Sequence, residues 1–209
     1  IDVLKPLVDS HAADAQVLAL LGSAYMRTGK FAEGSELFEK AVQAAPNVSS
    51  IRTQLALSRL VQGSADQAVG DLEAAVDLDP EARQASILLT LVHLRKGQFD
   101  EALASAERLH KTMPENPMAQ NLIGAAYLGK KDLAKARETF EAALKTKADF
   151  HPARMNLAQL DVREGKIDKA IKHYETIIGE NPKHVGALLA MADVAIRQKR
   201  TKDVVGWLK

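Results

Sequence analysis

Residues 15–48 read AQVLALLGSAYMRTGKFAEGSELFEKAVQAAPNV, and the spacing of their apolar and helix-breaking residues decides the fold. Leu18, Leu21, Gly22 and Tyr25 recur every three or four residues, the period that places side chains on one face of an α-helix. Thr28, Gly29 and Lys30 interrupt that pattern, and Gly29 can adopt the left-handed conformation of a helix C-cap. A second stripe follows at Phe31, Gly34, Phe38 and Ala41, and Ala45-Pro46-Asn47 closes it because proline cannot continue a helix. The segment therefore predicts two helices folded back on each other, with Gly22 and Gly34 small enough to let the pair approach closely.

The same arrangement repeats along the chain. Pro46, Pro80 and Pro114 are 34 residues apart, and Pro182 follows after two further periods, with Ala148 at the position between. Gly29, Gly63, Gly97 and Gly165 keep the same register, with Lys131 and Lys199 at the two positions that lack glycine. Two residue types sharing one period of this length are the mark of a repeat array, in which neighbouring copies bury a core that no single copy could bury.

Bulk composition agrees and removes several classes of function. The chain is 46% hydrophobic but only 4% aromatic, which fits helices packed through Ala and Leu. Its net charge of +1 gives no electrostatic reason to expect nucleic acid or an anionic membrane as a partner. The absence of cysteine excludes disulfides and thiolate sites within these residues. No apolar run is long enough to span a bilayer, and residues 1–20 lack the pattern of a signal peptide.

With the repeats aligned, the chain resembles the tetratricopeptide-repeat (TPR) family. That family favours Leu at position 7, a small residue at 8, Tyr at 11, Ala at 20, an aromatic at 24, Ala at 27 and Pro at 32. The first repeat has Leu21, Gly22, Tyr25, Gly34, Phe38, Ala41 and Pro46 at these positions. Arg59, His93 and Asp161 stand where Tyr is favoured. The resemblance divides the chain into repeats at 15–48, 49–82, 83–116, 117–150 and 151–184, a partial repeat at 185–209, and residues 1–14 as the end of an upstream repeat. It implies an all-α fold, a right-handed superhelical solenoid of antiparallel helix pairs.

A search for chemistry yields no catalytic group, cofactor site or metal site. Histidines 11, 93, 110, 151, 173 and 184 occupy different repeat positions, form no His-Glu-x-x-His pair and read as surface or interface residues. The glycines at 22 and 29 have the wrong spacing for a phosphate-binding loop, and no Gly-x-Ser-x-Gly elbow exists. Glu36 and Glu39, or Glu138 and Glu141, read as charge-paired helix surface beside Lys40 and Lys135. The expectation is a non-catalytic scaffold that binds a protein or peptide.

In TPR proteins the first helices line a concave groove, with positions 2, 5, 9 and 12 facing the ligand. Carried over, these positions give Leu57, Leu60, Ile87, Leu91 and Leu94, continued by Met118, Asn121, Leu128 and Met155. Such a stripe would suit an amphipathic helix or apolar segment. The Lys and Asn pattern of the family's carboxylate clamp is absent, so recognition of chaperone tails is not expected. Arg27, Arg95, Arg163 and Arg197 share position 13 and read as solvated helix ends.

Two segments, GAAYLGKKDLAKA (124–136) and LALSRL (55–60), resemble the TPR lipoproteins of bacterial PEP-CTERM/exosortase and exopolysaccharide systems. That resemblance implies a lipid anchor upstream and a periplasmic location; the alternative is cytoplasmic. A rival reading is the substrate-positioning TPR region of a glycosyltransferase. The asparagine ladder of those arrays would fall at position 6, where this chain has Leu20, Gln54, Leu88, Leu122, Asn156 and Ala190. End-to-end self-association through Val3, Leu4, Leu7 and Val8 at one end and Val204, Val205, Trp207 and Leu208 at the other is a third expectation.

Overall fold

The structure is a computed structural model that describes residues 14–198. The expectations for residues 1–13 and 199–209, including the upstream repeat end and the apolar termini, lie outside the described residues. Among the described residues there are eleven helices and no strand, so the fold is all-α. They are α1 (Ala15–Arg27), α2 (Phe31–Ala44), α3 (Ser49–Val61), α4 (Ala65–Leu78), α5 (Arg83–Arg95) and α6 (Phe99–Thr112), then α7 (Pro117–Gly129), α8 (Leu133–Thr146), α9 (His151–Arg163), α10 (Ile167–Glu180) and α11 (Val185–Arg197). The odd-numbered helices start 34 residues apart, and each is followed by a partner that folds back on it.

The chain divides into two compact units, Ile1–Thr112 and Met113–Lys209. In the first, α1 pairs with α2, α3 with α4 and α5 with α6, while α2 packs on α3 and α4 on α5. The first helices also touch one another, α1 against α3 and α3 against α5. In the second unit α7 pairs with α8 and α9 with α10, α8 packs on α9, α10 on α11, and α7 touches α9. The cores are shared between repeats. One joins Ala56, Ala68, Leu72, Ala75, Val76, Ala85, Leu89 and Val92 across α3, α4 and α5, and another joins Ala158, Ala170, Tyr174, Ile177, Ala187, Met191 and Val194 across α9, α10 and α11.

The close approach within a pair depends on residues with little or no side chain. A Cβ on Gly34 would lie 3.0 Å from the Gly22 carbonyl oxygen, and one on Gly124 would lie 2.5 Å from Phe140, whose ring is fully buried. The second stripe of the first repeat is buried at Gly34, Phe38 and Ala41 but not at Phe31. Phe31 is 40% exposed because it sits at the first turn of α2, before the pair comes together.

The loops inside each pair share one closure. In the first repeat the amide of Lys30 donates to the carbonyl of Tyr25 and that of Gly29 to Met26, a Schellman motif with Gly29 at a φ of 78°. Gly63, Gly97 and Gly165 repeat that conformation, and Lys131 adopts it with a φ of 63° in place of glycine. A side chain in this region costs about 1–2 kcal/mol, part of which glycine would give back through its more flexible unfolded state. Lys131→Gly is therefore expected to stabilise the protein by about 0.5–1 kcal/mol and to raise Tm by about 1–4 °C in thermal unfolding; an unchanged or lower Tm would contradict the strain assigned to this loop.

Candidate functional site

The side-by-side first helices of the first unit present the surface on which the sequence places a partner. Ile87, Leu91 and Leu94 lie four and three residues apart on α5, hence on one face. Leu91 is 46% exposed, well above what a core leucine shows, while Ile87 and Leu94 are half-buried. On α3, Leu57 is half-buried, and Leu60 packs against the Ala56–Leu72 core. Ile87 and Leu88 also wall an open cleft of about 450 Å³ at the start of α5, together with Glu81, Arg83 and Gln84.

The other four candidates belong to the second unit. Leu128 packs beside Phe140, and Met155 packs on the Ala158–Tyr174 core. Met118 is half-buried. Asn121 is only 7% exposed, and its Oδ1 accepts a hydrogen bond of 2.9 Å from Asn156 Nδ2, an amide link from α7 to α9. Of the nine residues, Leu91 is the one with a large exposed apolar surface. Val185, Leu189 and Ile196 on α11 are more exposed still, at 65%, 55% and 56%. At the last two repeat positions α9 carries Met155 and Val162, both packed against the core below α11.

Ionic clusters occupy two of the positions where Tyr is favoured. Arg59 reaches from α3 to Asp71 on α4 at 2.7 Å and to Glu39 on α2 at 3.1 Å. Glu39 is thus an inter-repeat partner and not only solvated surface. Burial raises the Asp71 carboxyl above its ordinary value, and the Arg59 and Arg52 guanidiniums only partly offset that. In the second unit Asp161 is fully buried. Its Oδ1 accepts from Arg137 Nη2 at 2.6 Å, and the same nitrogen donates to Glu164 at 2.9 Å. Asp161 Oδ2 has no hydrogen bond; His173 Nε2 lies 3.5 Å away, beyond hydrogen-bond range. The signal for both clusters was in the sequence as a charged residue at position 11 with an opposite charge on a neighbouring second helix.

Three of the other four described histidines serve the fold, while His110 Nδ1 is buried without a hydrogen-bond partner. His93 Nδ1 pairs with Gln98 Oε1 at 3.0 Å, His151 Nε2 with Glu180 at 2.8 Å, and His184 Nδ1 caps α11 by accepting from the Ala187 amide. No group of three or more His, Asp or Glu among the described residues is placed to hold a metal ion, and no described helix is long and apolar enough to cross a membrane.

Stacked helical hairpins that share their cores with the next repeat, and that set their first helices side by side within each unit, define a repeat scaffold. The tetratricopeptide-repeat family matches residues 15–48, 53–111, 91–152 and 161–209, leaving only 1–14, 49–52 and 153–160 unmatched. The chain belongs to that family. No curated protein matches it in sequence. Among solved structures, it is similar to MamA (41-end) from Desulfovibrio magneticus RS-1, with 21% identity, a TM-score of 0.70, and coverage of 81% of this chain and 97% of that one. It is similar to pilF of Pseudomonas aeruginosa with 17% identity, a TM-score of 0.72, and coverage of 92% and 88%. It is also similar to YrrB, a TPR protein with an unusual peptide-binding site, at 16% identity, a TM-score of 0.66, and coverage of 90% and 97%. At these identities the likeness is one of fold.

The Asp161 cluster has a pH signature. Burial, the largest cause, and the Arg154 and Arg137 guanidiniums lower the His173 imidazole below its ordinary value of 6.5, against the opposing pull of Asp161 and Glu141. The unfolded chain therefore binds this proton more strongly, and the stability contributed by neutral His173 is complete above 6.5 and lost as the pH falls below it. Between about pH 7.5 and about pH 5 the Tm of the wild type should fall further than that of His173→Gln. Parallel pH profiles would show that His173 is not the group responsible.

Proposed function

We propose that the chain is a non-catalytic scaffold whose first-helix surface in the first unit binds a partner segment bearing apolar side chains, with Leu91 at its centre and Leu57, Ile87 and Leu94 around it. The exposure of Leu91 carries this reading. Leu91 is 46% open to water in the middle of a helix whose other leucines are covered, and together with the half-buried Ile87 and Leu94 on the same face it offers an apolar patch of the kind that marks a partner site. The open cleft beside Ile87 supports a segment that continues along α5 towards its start. Leu60 supports the surface from the Ala56–Leu72 core. In the second unit, Met118, Asn121, Leu128 and Met155 occupy the corresponding first-helix positions of their own repeats, and their contacts to a partner are a separate proposal. Membership of the TPR family and the likeness to YrrB, a peptide binder by its description, support a peptide or helix as the ligand.

Fully burying one such side chain contributes roughly 1.5–3 kcal/mol, so three or four, less association costs of about 4 kcal/mol or more, give weak affinity of about millimolar to micromolar. The finer setting is a bacterial envelope system for protein sorting or exopolysaccharide export, supported by the phrasing of residues 124–136 and 55–60. Peptides selected by display on the wild-type protein should carry two or more apolar residues at helical or alternate spacing. Leu91→Asp should retain the helical CD spectrum and bind them at least about tenfold more weakly, a loss of about 1.4 kcal/mol. Equal binding by the variant would remove Leu91 from the site and with it the proposed surface.

A further inference from the structure

A second cleft, of about 410 Å³, lies between α4, α5 and α6, on a different face of α5 from Leu91. It is open because the third repeat is small where the others are large. Ser86 lines its floor at the repeat position that Arg52 and Arg154 fill with side chains reaching to Pro46 and Ala148. Ser105 lines its wall at the position of Leu37, Asp71, Thr139 and His173.

The lining is acidic. Glu73 on α4 and Glu101 on α6 make no ion pair, and Asp77 is already held at 3.0 Å by Arg108, itself part of the lining. Independently of that charge, polar groups in the floor lack partners. Ser86 is 3% exposed, and its hydroxyl makes no hydrogen bond. His93 is 6% exposed, with only Nδ1 engaged, by Gln98. The Ser86 hydroxyl and the second ring nitrogen of His93 line this open space and suit a polar ligand, and Val76 and Leu89 offer an apolar wall for the stem that carries it.

The preceding repeat shows what fits such a place. There Arg59 extends its own guanidinium between Glu39 and Asp71, at 3.1 and 2.7 Å. Glu73 is the counterpart of Glu39, 34 residues on, but His93 replaces Arg59 and is too short to fill the space. We propose that this cleft binds the guanidinium of an arginine side chain presented by a protein partner, seated between Glu73 and Glu101 over Ser86. The site is independent of the apolar first-helix surface.

The test titrates the peptide acetyl-Gly-Gly-Arg-Gly-Gly-amide into isotopically labelled protein and follows amide shifts by NMR. Saturable shifts confined to α4, α5 and α6 are expected, with affinity of about millimolar for this single side chain. The neutral isostere with citrulline should not bind, the lysine peptide should bind more weakly because an ammonium cannot bridge both carboxylates, and free arginine should bind more weakly because its own carboxylate meets Glu73 and Glu101. Glu73→Gln with Glu101→Gln, both exposed, should leave Tm unchanged and weaken the peptide by about tenfold or more. Ser86→Arg should close the cleft with an internal guanidinium and abolish the shifts. Equal binding of the citrulline peptide, equal or tighter binding of free arginine, or unchanged binding by the double glutamine variant would each overturn the proposal.

Discussion

The contact on which the rest of the structure depends is the one between the two helices of a repeat at positions 8 and 20. Gly22 and Gly34, Ala56 and Ala68, Gly124 and Ala136, Ala158 and Ala170 meet there, all of them buried. With almost no side chain between the backbones, the aromatic or branched residue four positions further along the second helix closes over the first. Phe38 lies against Gly22 and Phe140 against Gly124. Each pair then offers its next neighbour an apolar face of Ala and Leu, and the shared cores follow. Thr90 with Ala102 is the one larger combination among the described repeats, and there position 24 shrinks to Ala106, so the volume is conserved.

That arrangement also decides which surfaces remain free to act. Position 7 leucines turn into the core, while position 9 on the same helix turns outward, which is why Leu89 is 7% exposed and Leu91 is 46% exposed, two residues apart. Position 11 lies at the last turn of the first helix, where it borders the neighbouring second helices and solvent together. Tyr suits that edge with a ring beneath a lysine, as in Tyr25 with Lys30 and Tyr127 with Lys135. Charged residues suit it only with partners, and Arg59 and Asp161 have them. His93 has a single partner, Gln98, and the cleft opens beside it.

Nearly all of the fold was legible in the sequence, because glycine, proline and small-residue positions carry the 34-residue period directly. Gly29, Pro46 and their counterparts mark loops through backbone constraints that act within a few residues. Burial at the groove was less legible. Asn121 and Leu91 both occupy positions that face ligands in the family, yet one is buried against Asn156 and the other is open, because the outcome depends on the neighbouring first helix. The ionic clusters were the least legible, since Arg137 and Asp161 are 24 residues apart and their pairing appears only when two repeats stack. Phe31 illustrates the opposite error, an apolar residue in register whose helix has not yet met its partner.

The measurement that tests this account most directly is the stability of Gly124→Ala, followed by chemical denaturation. Helix propensity alone would make alanine stabilising by about 0.5–1 kcal/mol at a mid-helix glycine. The contact described above predicts the opposite sign, because the added methyl would lie 2.5 Å from the fully buried Phe140 ring. A loss of about 1–3 kcal/mol is expected. A variant as stable as the wild type, or more stable, would contradict the claim that the glycine contact sets the spacing of the repeat.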